Sequence, residues 1–243
     1  MTDPVIIPAS EKHTATCIFL HGLDDIGYAF ERLGFYDLNC SIFYSKTWFE
    51  EFNTFDIPKC LPYMKFVFPT ASIMKISKNN GEEMTSWFDI YGFDQNAKED
   101  QESIEKASEL LNCFVEAEIK NGIPVEHIII GGFSMGGAVA LHTALISSYR
   151  FGGVLALSTW LPLLTTFHKT LVAGDKKVDL PILHCHGNKD SIIQLNWARS
   201  SEDAFKRMGF KQYIFKEYDG MDHTNCEQEM KDLLTFIQQY LPE

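Results

Sequence analysis

Short, continuously apolar runs alternate along the chain with longer stretches in which apolar and polar residues are mixed. Runs of this kind are typical of strands that are buried on both faces of a parallel sheet. They predict strands at residues 14–20, 64–68, 127–130, 152–158, 181–187 and 212–218. Helices are predicted at 99–121, 135–148, 195–208 and 226–240, and in the first of these the apolar residues recur near helical spacing. This alternation predicts an α/β fold, with a mostly parallel central sheet and helices on both faces.

Residues 34–60 do not follow this alternation. They carry many aromatic side chains without a clear period, between two predicted strands that a single helix would suffice to join. Two interpretations are open: the segment packs as a satellite core against the sheet edge, or it covers the functional site as a lid or apolar wall. No linker, repeat or low-complexity tract divides the sequence. We therefore expect residues 1–243 to form one α/β domain that carries this aromatic-rich segment as an insertion.

Composition narrows the classes of function. The net charge of −12 argues against non-specific binding to nucleic acid or to anionic membrane surfaces. The six cysteines show neither a CxxC pair nor the spacing of a metal site, which fits a reducing compartment. The first residues lack the pattern of a signal peptide, and no apolar run is long enough to cross a bilayer. We expect a cytoplasmic protein that binds no nucleic acid.

The predicted strand at 127–130 leads into GFSMG at residues 132–136, which matches the pattern G-x-S-x-G. The pattern alone is weak, but here a strand precedes it and a helix rich in small residues follows, as the motif requires. The flanking glycines permit a sharp turn that exposes the serine beside free backbone N–H groups of the new helix. This context predicts a nucleophile at Ser134. A structural serine in a tight turn is the alternative.

A serine hydroxyl is a weak nucleophile at neutral pH and needs a general base. In hydrolases with this motif the order along the chain is serine, acid, histidine. Asp190 and His223 each follow a predicted strand, at the carboxyl edge of the sheet where Ser134 also emerges. We predict Asp190 as the acid and His223 as the base. Asp219 and Asp222 are alternative acids, but a residue adjacent in a turn rarely points back at its neighbour's ring.

The remaining histidines offer competing interpretations. His184 and His186 resemble a fragment of a metal site, but no third cluster of ligands accompanies them, and we predict packing at the end of a strand instead. His142 and His168 are expected to be solvated. No metal and no cofactor is predicted.

Acyl transfer also requires N–H donors for a developing oxyanion. One donor is expected to be the N–H of Met135, which follows the serine at the amino end of a helix. The other should come from the loop after an early strand, where the N–H of Leu23 is the candidate. His21 is expected to form a local hydrogen bond rather than to act as a base.

Several motifs are spread over nearly the whole chain: IFLHGLDD, SWFDIYG, GIPVEHIIIGGFSMGGAVAL, ALSTWLPL, HCHGNKD and YDGMDHTNCEQEM. Together they resemble the acyl-protein thioesterase / lysophospholipase family of α/β hydrolases. The resemblance implies the α/β-hydrolase fold, with Ser134, Asp190 and His223 as a catalytic triad. It implies that Leu23 and Met135 supply the oxyanion N–H groups. It also implies that Trp87 and Trp160 help to wall the acyl site.

The resemblance implies a serine hydrolase that removes palmitoyl groups from cysteines of S-acylated proteins through an acyl-enzyme intermediate, and it allows a transient encounter with a membrane surface. One alternative is a carboxylesterase or lysophospholipase that acts on small acyl esters or lysolipids. Another is a silent hydrolase fold that binds lipid or protein, against which the complete triad argues. Three features depart from the family pattern: Met135 replaces the usual glutamine, as in the lysophospholipase-like branch, Asp24 replaces a glycine, and segment 34–60 is long.

Overall fold

The computed structural model describes residues 3–25, 47–164, 177–241 and 243. The strands are β1 (Val5–Ile7), β2 (Ala15–Leu20), β3 (Met64–Phe68), β4 (Ile73–Ile76), β5 (Glu82–Thr85), β6 (Ile128–Phe133), β7 (Gly153–Leu157), β8 (Ile182–Gly187) and β9 (Tyr213–Tyr218). The helices are α1 (Trp48–Thr54), α2 (Ile57–Cys60), α3 (Gln101–Lys120), α4 (Met135–Ile146), α5 (Leu195–Arg207) and α6 (Glu227–Tyr240). None of these described helices is long and apolar enough to cross a bilayer.

Seven of the described strands form one sheet in the order β1-β3-β2-β6-β7-β8-β9. β1 is antiparallel to β3, and every other neighbouring pair in this order is parallel. β4 and β5 form a separate antiparallel hairpin. The predicted fold class is therefore confirmed. The pattern analysis does not predict β1, which has only 3 residues, or the hairpin, whose strands mix charged and apolar residues.

Alternate residues of the buried strands face opposite sides of the sheet. Along β2, Ile18 and Leu20 belong to the core that α3, α4 and α5 cover, whereas Cys17 and Phe19 belong to the core under α1 and α6. A strand that is apolar at every position therefore serves two cores, one on each face of the sheet.

The helix boundaries follow local signals in the sequence. The side chain of Asp100 accepts the N–H of Ser103 and caps the start of α3. The same helix ends at Lys120, and Asn121 caps its end before Gly122 at φ 92°. Only a glycine adopts such an angle at little cost, which is why the Asn-Gly pair is a reliable stop signal.

The expectation of a solvated His142 is wrong. Helix α4 lies between the sheet and α3, so its residues are buried from Met135 through Leu145. The Nδ1 of His142 lies 2.7 Å from the hydroxyl of Ser108, and burial lowers the pKa of His142 to about 4. His168 lies outside the described residues.

The aromatic-rich segment is described over residues 47–60, and residues 34–46 lie outside the described part. Helix α1 starts with a capping box, in which Thr47 and Glu50 satisfy each other's backbone N–H groups. Phe52 is fully buried and packs against the rings of Phe19, Phe66 and Phe68. This part of the segment packs against the sheet through Phe52.

Candidate active site

Ser134 lies at the turn between β6 and α4. Its backbone angles, φ 53° and ψ −120°, fall in a sparsely populated region that costs on the order of 1–3 kcal/mol for a residue with a side chain. The surrounding structure compensates for this strain. The N–H of Ser134 donates to the Leu157 carbonyl at 2.8 Å, and its carbonyl accepts the Thr159 hydroxyl at 2.6 Å.

Two glycines allow the turn to be this tight. A Cβ on Gly136 would collide with the backbone of Leu20, and a Cβ on Gly132 would collide with the backbone of Gly136. The close approach of α4 to the end of β2 therefore depends on Gly136, and the tightness of the turn depends on Gly132. It brings the serine hydroxyl to the carboxyl edge of the sheet, next to the loop that follows β2.

The structure brings Ser134, His223 and Asp190 into one hydrogen-bonded chain. The Nδ1–H of His223 donates to Asp190 Oδ2 at 2.8 Å, and the Ser134 hydroxyl lies 3.0 Å from His223 Nε2. Because a carboxylate only accepts, Nδ1 carries the proton and Nε2 is free to accept the proton of the serine. The ring of His223 also packs against Phe133, with 4.7 Å between the ring centroids.

Asp190 is fixed by its own loop. It is 6% exposed, and its Oδ1 accepts the backbone N–H groups of Ile192 and Ile193 at 3.0 and 2.8 Å. One carboxylate oxygen thus holds the loop and the other holds the histidine. The two alternative acids do not contact the ring of His223: Asp222 accepts its backbone N–H, and Asp219 accepts the side chain of Asn188.

His184 and His186 are buried in β8, where the sequence predicts packing rather than metal binding. His184 contacts the hydroxyl of Tyr213 and the Thr159 carbonyl, and His186 Nε2 donates to the Ile193 carbonyl at 2.7 Å. Burial lowers the pKa of both rings, so they are neutral near pH 7. Among the described residues, no group of three or more histidine, cysteine or acidic side chains could hold a metal ion.

The loop after β2 carries the other candidate donor. Within the described residues, the N–H groups of Leu23 and Met135 have no acceptor, so both are free for a substrate oxygen. His21 supports this loop: its Nε2 accepts the N–H of Ala71 at 3.0 Å and its Nδ1–H donates to the Gly22 carbonyl at 2.6 Å. This local bonding confirms the interpretation of His21 as a structural residue, and burial lowers its pKa to about 4.

Three hydrogen bonds tie this loop to the end of the hairpin, at Thr85, and to Trp87 just after it. The N–H of Asp24 donates to the Thr85 carbonyl at 2.9 Å, and the Thr85 hydroxyl donates to the Asp25 carbonyl at 2.5 Å. Trp87 Nε1–H donates to the His21 carbonyl at 2.9 Å. Asp24 has φ 58°, so it takes a left-handed conformation at the position where the resembled family has glycine.

Met135 and Trp87 meet behind the loop. The thioether sulfur of Met135 accepts the N–H of Trp87 at 3.3 Å, and the side chain of Met135 is fully buried. Trp87 does not line the cavity next to Ser134. The structure places it one layer behind that cavity, where it supports the loop through the His21 carbonyl.

A cavity of about 300 Å³ opens beside the Ser134 hydroxyl. Its lining is largely apolar and includes Trp48, Ile90, Phe93, Phe133, Trp160 and Ile192, together with Leu23 and His223. Trp160 stacks on Trp197 with 4.5 Å between centroids, and its Nε1–H donates to Glu99. A larger hollow of about 620 Å³ lies near Tyr149 and Pro181, at the amino edge of the sheet, away from these groups.

Comparison with known proteins assigns the chain to a family. The family model described as phospholipase/carboxylesterase matches residues 1–241. The chain belongs to this family. The chain is 33% identical over 243 residues to acyl-protein thioesterase 1 homolog 2 of Dictyostelium discoideum, covering 100% of both chains. It is 30% identical to acyl-protein thioesterase 1 of Neurospora crassa, covering 99% of this chain and 92% of that one.

Solved structures share the fold of the chain. A variant of Arabidopsis thaliana SOBER1 superposes with a TM-score of 0.77 at 26% identity, covering 93% of this chain and 99% of that one. Zea mays acyl-protein thioesterase 2 also gives a TM-score of 0.77, at 24% identity, covering 99% and 100% of the two chains. The protein is an α/β hydrolase of the phospholipase/carboxylesterase family, related to the acyl-protein thioesterases, and the resemblance seen in the sequence is confirmed. Its role is that of a thioesterase or esterase.

Some residues of the site in this member of the phospholipase/carboxylesterase family are missed by sequence reasoning. Phe133 and Ile192 line the cavity. Phe133 directly precedes Ser134 in the sequence, and Ile192 lies two residues after Asp190. Their position beside the motifs is the signal that could have found them. Ile90 lies within the SWFDIYG motif, which is the signal that could have found it, whereas Phe93 follows that motif in an irregular stretch for which no local pattern indicates a place in the site.

Proposed function

We propose that the protein is a serine hydrolase that cleaves thioester-linked acyl groups from cysteines of S-acylated proteins. The observation that carries the proposal is the hydrogen-bonded chain of Asp190, His223 and Ser134, next to an apolar cavity and to the N–H groups of Leu23 and Met135, which have no acceptor among the described residues. The names of the relatives favour a protein thioester as the substrate. The apolar lining suits an acyl chain, since each buried methylene contributes about 0.8 kcal/mol of binding free energy.

In the proposed reaction, the Ser134 Oγ forms a bond to the acyl carbon while His223 Nε2 takes the hydroxyl proton. The N–H groups of Leu23 and Met135 stabilise the oxyanion. The carbon–sulfur bond then breaks, and the cysteine thiol leaves with the proton from His223. Water attacks the acyl carbon and gives a proton to His223; the bond from that carbon to Ser134 Oγ then breaks as His223 returns the proton to the serine oxygen, which releases the fatty acid and the free serine. Asp190 holds the ring and stabilises the imidazolium that forms twice in the cycle.

The nucleophile is tested with a fluorophosphonate probe and a palmitoylated peptide whose free thiol is measured after cleavage. The unmodified protein should be labelled at one serine and should release thiol. Ser134→Ala should lose labelling and turnover while keeping its melting temperature, and Ser103→Ala on α3 serves as the matched control. If Ser134→Ala still turned over the peptide, the assignment of the nucleophile would be wrong.

A second candidate function is hydrolysis of carboxylic esters such as lysolipids or small acyl esters. The description of the family as phospholipase/carboxylesterase favours it. The two functions use the same triad and differ in the leaving group. Paired thioester and oxygen-ester substrates of equal acyl length separate them: a larger kcat/KM for the thioester at every length supports the first proposal, and the reverse supports the second.

A further inference from the structure

Two loops carry the candidate acid and the candidate base, and hydrogen bonds join them. The first loop, residues 188–193, follows β8, and the second, residues 219–226, follows β9. The N–H groups of Asn188 and Lys189 donate to the carbonyls of Tyr218 and Met221. These ties lie close to the strand ends. They come before Asp190 and His223 in the chain and leave the tips of both loops unconnected.

The carboxylate of Asp222 connects the two tips. Its Oδ1 accepts three hydrogen bonds, each of 2.8 Å: from the N–H of Ser191, from the Ser191 hydroxyl and from the N–H of His223. Ser191 directly follows the candidate acid, and Asp222 directly precedes the candidate base. One oxygen atom therefore fixes the backbone beside both members of the Asp190–His223 pair.

We propose that Asp222 is a positioning residue, which holds the histidine loop against the acid loop so that His223 stays within hydrogen-bond reach of both Asp190 and Ser134. The proposal rests on the proposed function, because it concerns the geometry of the same triad. Asp190 is already fixed by the N–H groups of Ile192 and Ile193. On the histidine loop, the N–H of Gly220 donates to Asn188 Oδ1 at 2.9 Å and holds the start of the loop, whereas Asp222 supplies the contact directly beside His223.

Two observations separate this role from that of a general surface charge. One oxygen of Asp222 accepts all three hydrogen bonds. These contacts, of which the N–H of Ser191 has the largest effect, lower the pKa of Asp222 below its ordinary value, so the carboxylate stays ionised at neutral pH. Asp219 lies on the same loop, also exposed, and bonds the side chain of Asn188 at 2.9 Å, away from both triad residues. Asp219 is therefore a matched control with the same charge.

The first test compares Asp222→Ala, Asp222→Asn and Asp219→Ala by kcat and KM on a short acyl ester such as p-nitrophenyl butyrate. Misplacing a catalytic group by about 1 Å costs up to about a hundredfold in rate, so Asp222→Ala should lower kcat by about tenfold or more while KM changes little. Asn keeps an acceptor oxygen, so Asp222→Asn should recover most of the lost rate. Equal losses in Asp222→Ala and Asp219→Ala, or no loss in either, would overturn the proposal.

The second test does not depend on turnover. The Nδ1–H proton of His223, held by Asp190, should give a far-downfield proton resonance, which Asp190→Asn assigns by removing it. We expect this resonance to broaden or vanish in Asp222→Ala and to persist in Asp219→Ala, at temperatures where circular dichroism shows both variants folded. A sharp, unshifted resonance in Asp222→Ala would overturn the positioning role. If the unmodified protein hydrolysed no ester but the resonance still required Asp222, the proposed function would fail and this inference would stand.

Discussion

Glu229 offers a quantitative test of the packing beneath the site. It lies in the first turn of α6 and is 0% exposed, and among the described residues no side chain donates a hydrogen bond to its carboxyl group. Burial raises the pKa of Glu229 from its ordinary 4.5 to about 8; the backbone N–H of Cys226 acts against this rise, and the nearby charge of Asp232 acts with it. The folded protein therefore holds this carboxyl in its neutral form at pH 7.

The sign of the effect on stability follows from proton linkage. Below about pH 4.5 the carboxyl is protonated in both the folded and the unfolded chain. Between about pH 4.5 and pH 8 the unfolded chain releases the proton while the folded one keeps it, so the free energy of unfolding falls as the pH rises. At about 1.4 kcal/mol for each pH unit, the full loss across this window is on the order of 5 kcal/mol.

The perturbation is Glu229→Gln, which keeps the shape of the side chain and removes the titration. Urea unfolding of the variant and the unmodified protein should be measured from pH 5 to pH 9. The difference in unfolding free energy should move in favour of the variant by several kcal/mol as the pH rises, and level off above about pH 8. Buried histidines such as His21 and His142 titrate in both proteins, so their contributions cancel in the difference.

Glu227→Gln is the control, because Glu227 lies in the same turn, is exposed and pairs with Lys231. The difference in unfolding free energy between Glu227→Gln and the unmodified protein should stay nearly constant over this pH range. If the unfolding free energy of Glu229→Gln changed with pH in the same way as that of the unmodified protein, Glu229 would be ionised in the folded state. The reasoning from burial would then be refuted.

Three further predictions concern the site. Asp190→Asn should lower kcat by about 10³–10⁴-fold with little change in melting temperature, because it disturbs the tautomer and orientation of His223; nearly full activity in steady-state assays would show that another carboxylate is the acid. Trp48→Ala should reduce kcat/KM for long acyl chains more than for acetyl esters, because Trp48 lines the cavity. Phe49→Ala is the control: Phe49 contacts Phe68 outside the cavity, so its loss should leave the dependence of kcat/KM on chain length unchanged. Activity should survive EDTA, because no step of the proposed reaction uses a metal ion; loss of activity that added zinc restores would overturn the metal-free mechanism.

The strands and helices around the site could be predicted because their signals are local. An apolar run predicts a doubly buried strand, and the Asn121-Gly122 pair ends α3 through the backbone freedom of glycine. The triad positions follow from the order serine, acid, histidine and from the shared carboxyl edge of parallel strands. The structure then brings Asp190 and His223 together over a separation of 33 residues, and His223 and Ser134 over 89.

Other features depend on contacts between distant parts of the chain and carry no local signal. His142 looks like a helix-surface residue until α3 covers it. Trp87 resembles a wall of the acyl site by its place in a motif, but it lies behind the cavity because its indole N–H donates to the His21 carbonyl. The contact of Asp222 with Ser191 likewise joins two loops that no sequence pattern pairs.

The three bonds between the loop after β2 and the residues around Thr85 have a consequence for engineering. Thr85 and Trp87 hold the backbone of His21, Asp24 and Asp25, so the two segments behave as one mechanical part although they are about 60 residues apart in sequence. A chimera that takes residues 21–25 from a relative, but keeps its own residues 85–87, would lack the matching hydrogen-bond partners for the loop after β2. Grafts between members of the family should therefore exchange both segments together, and a hairpin replaced alone should alter turnover even though β4 and β5 contribute no residue to the cavity lining.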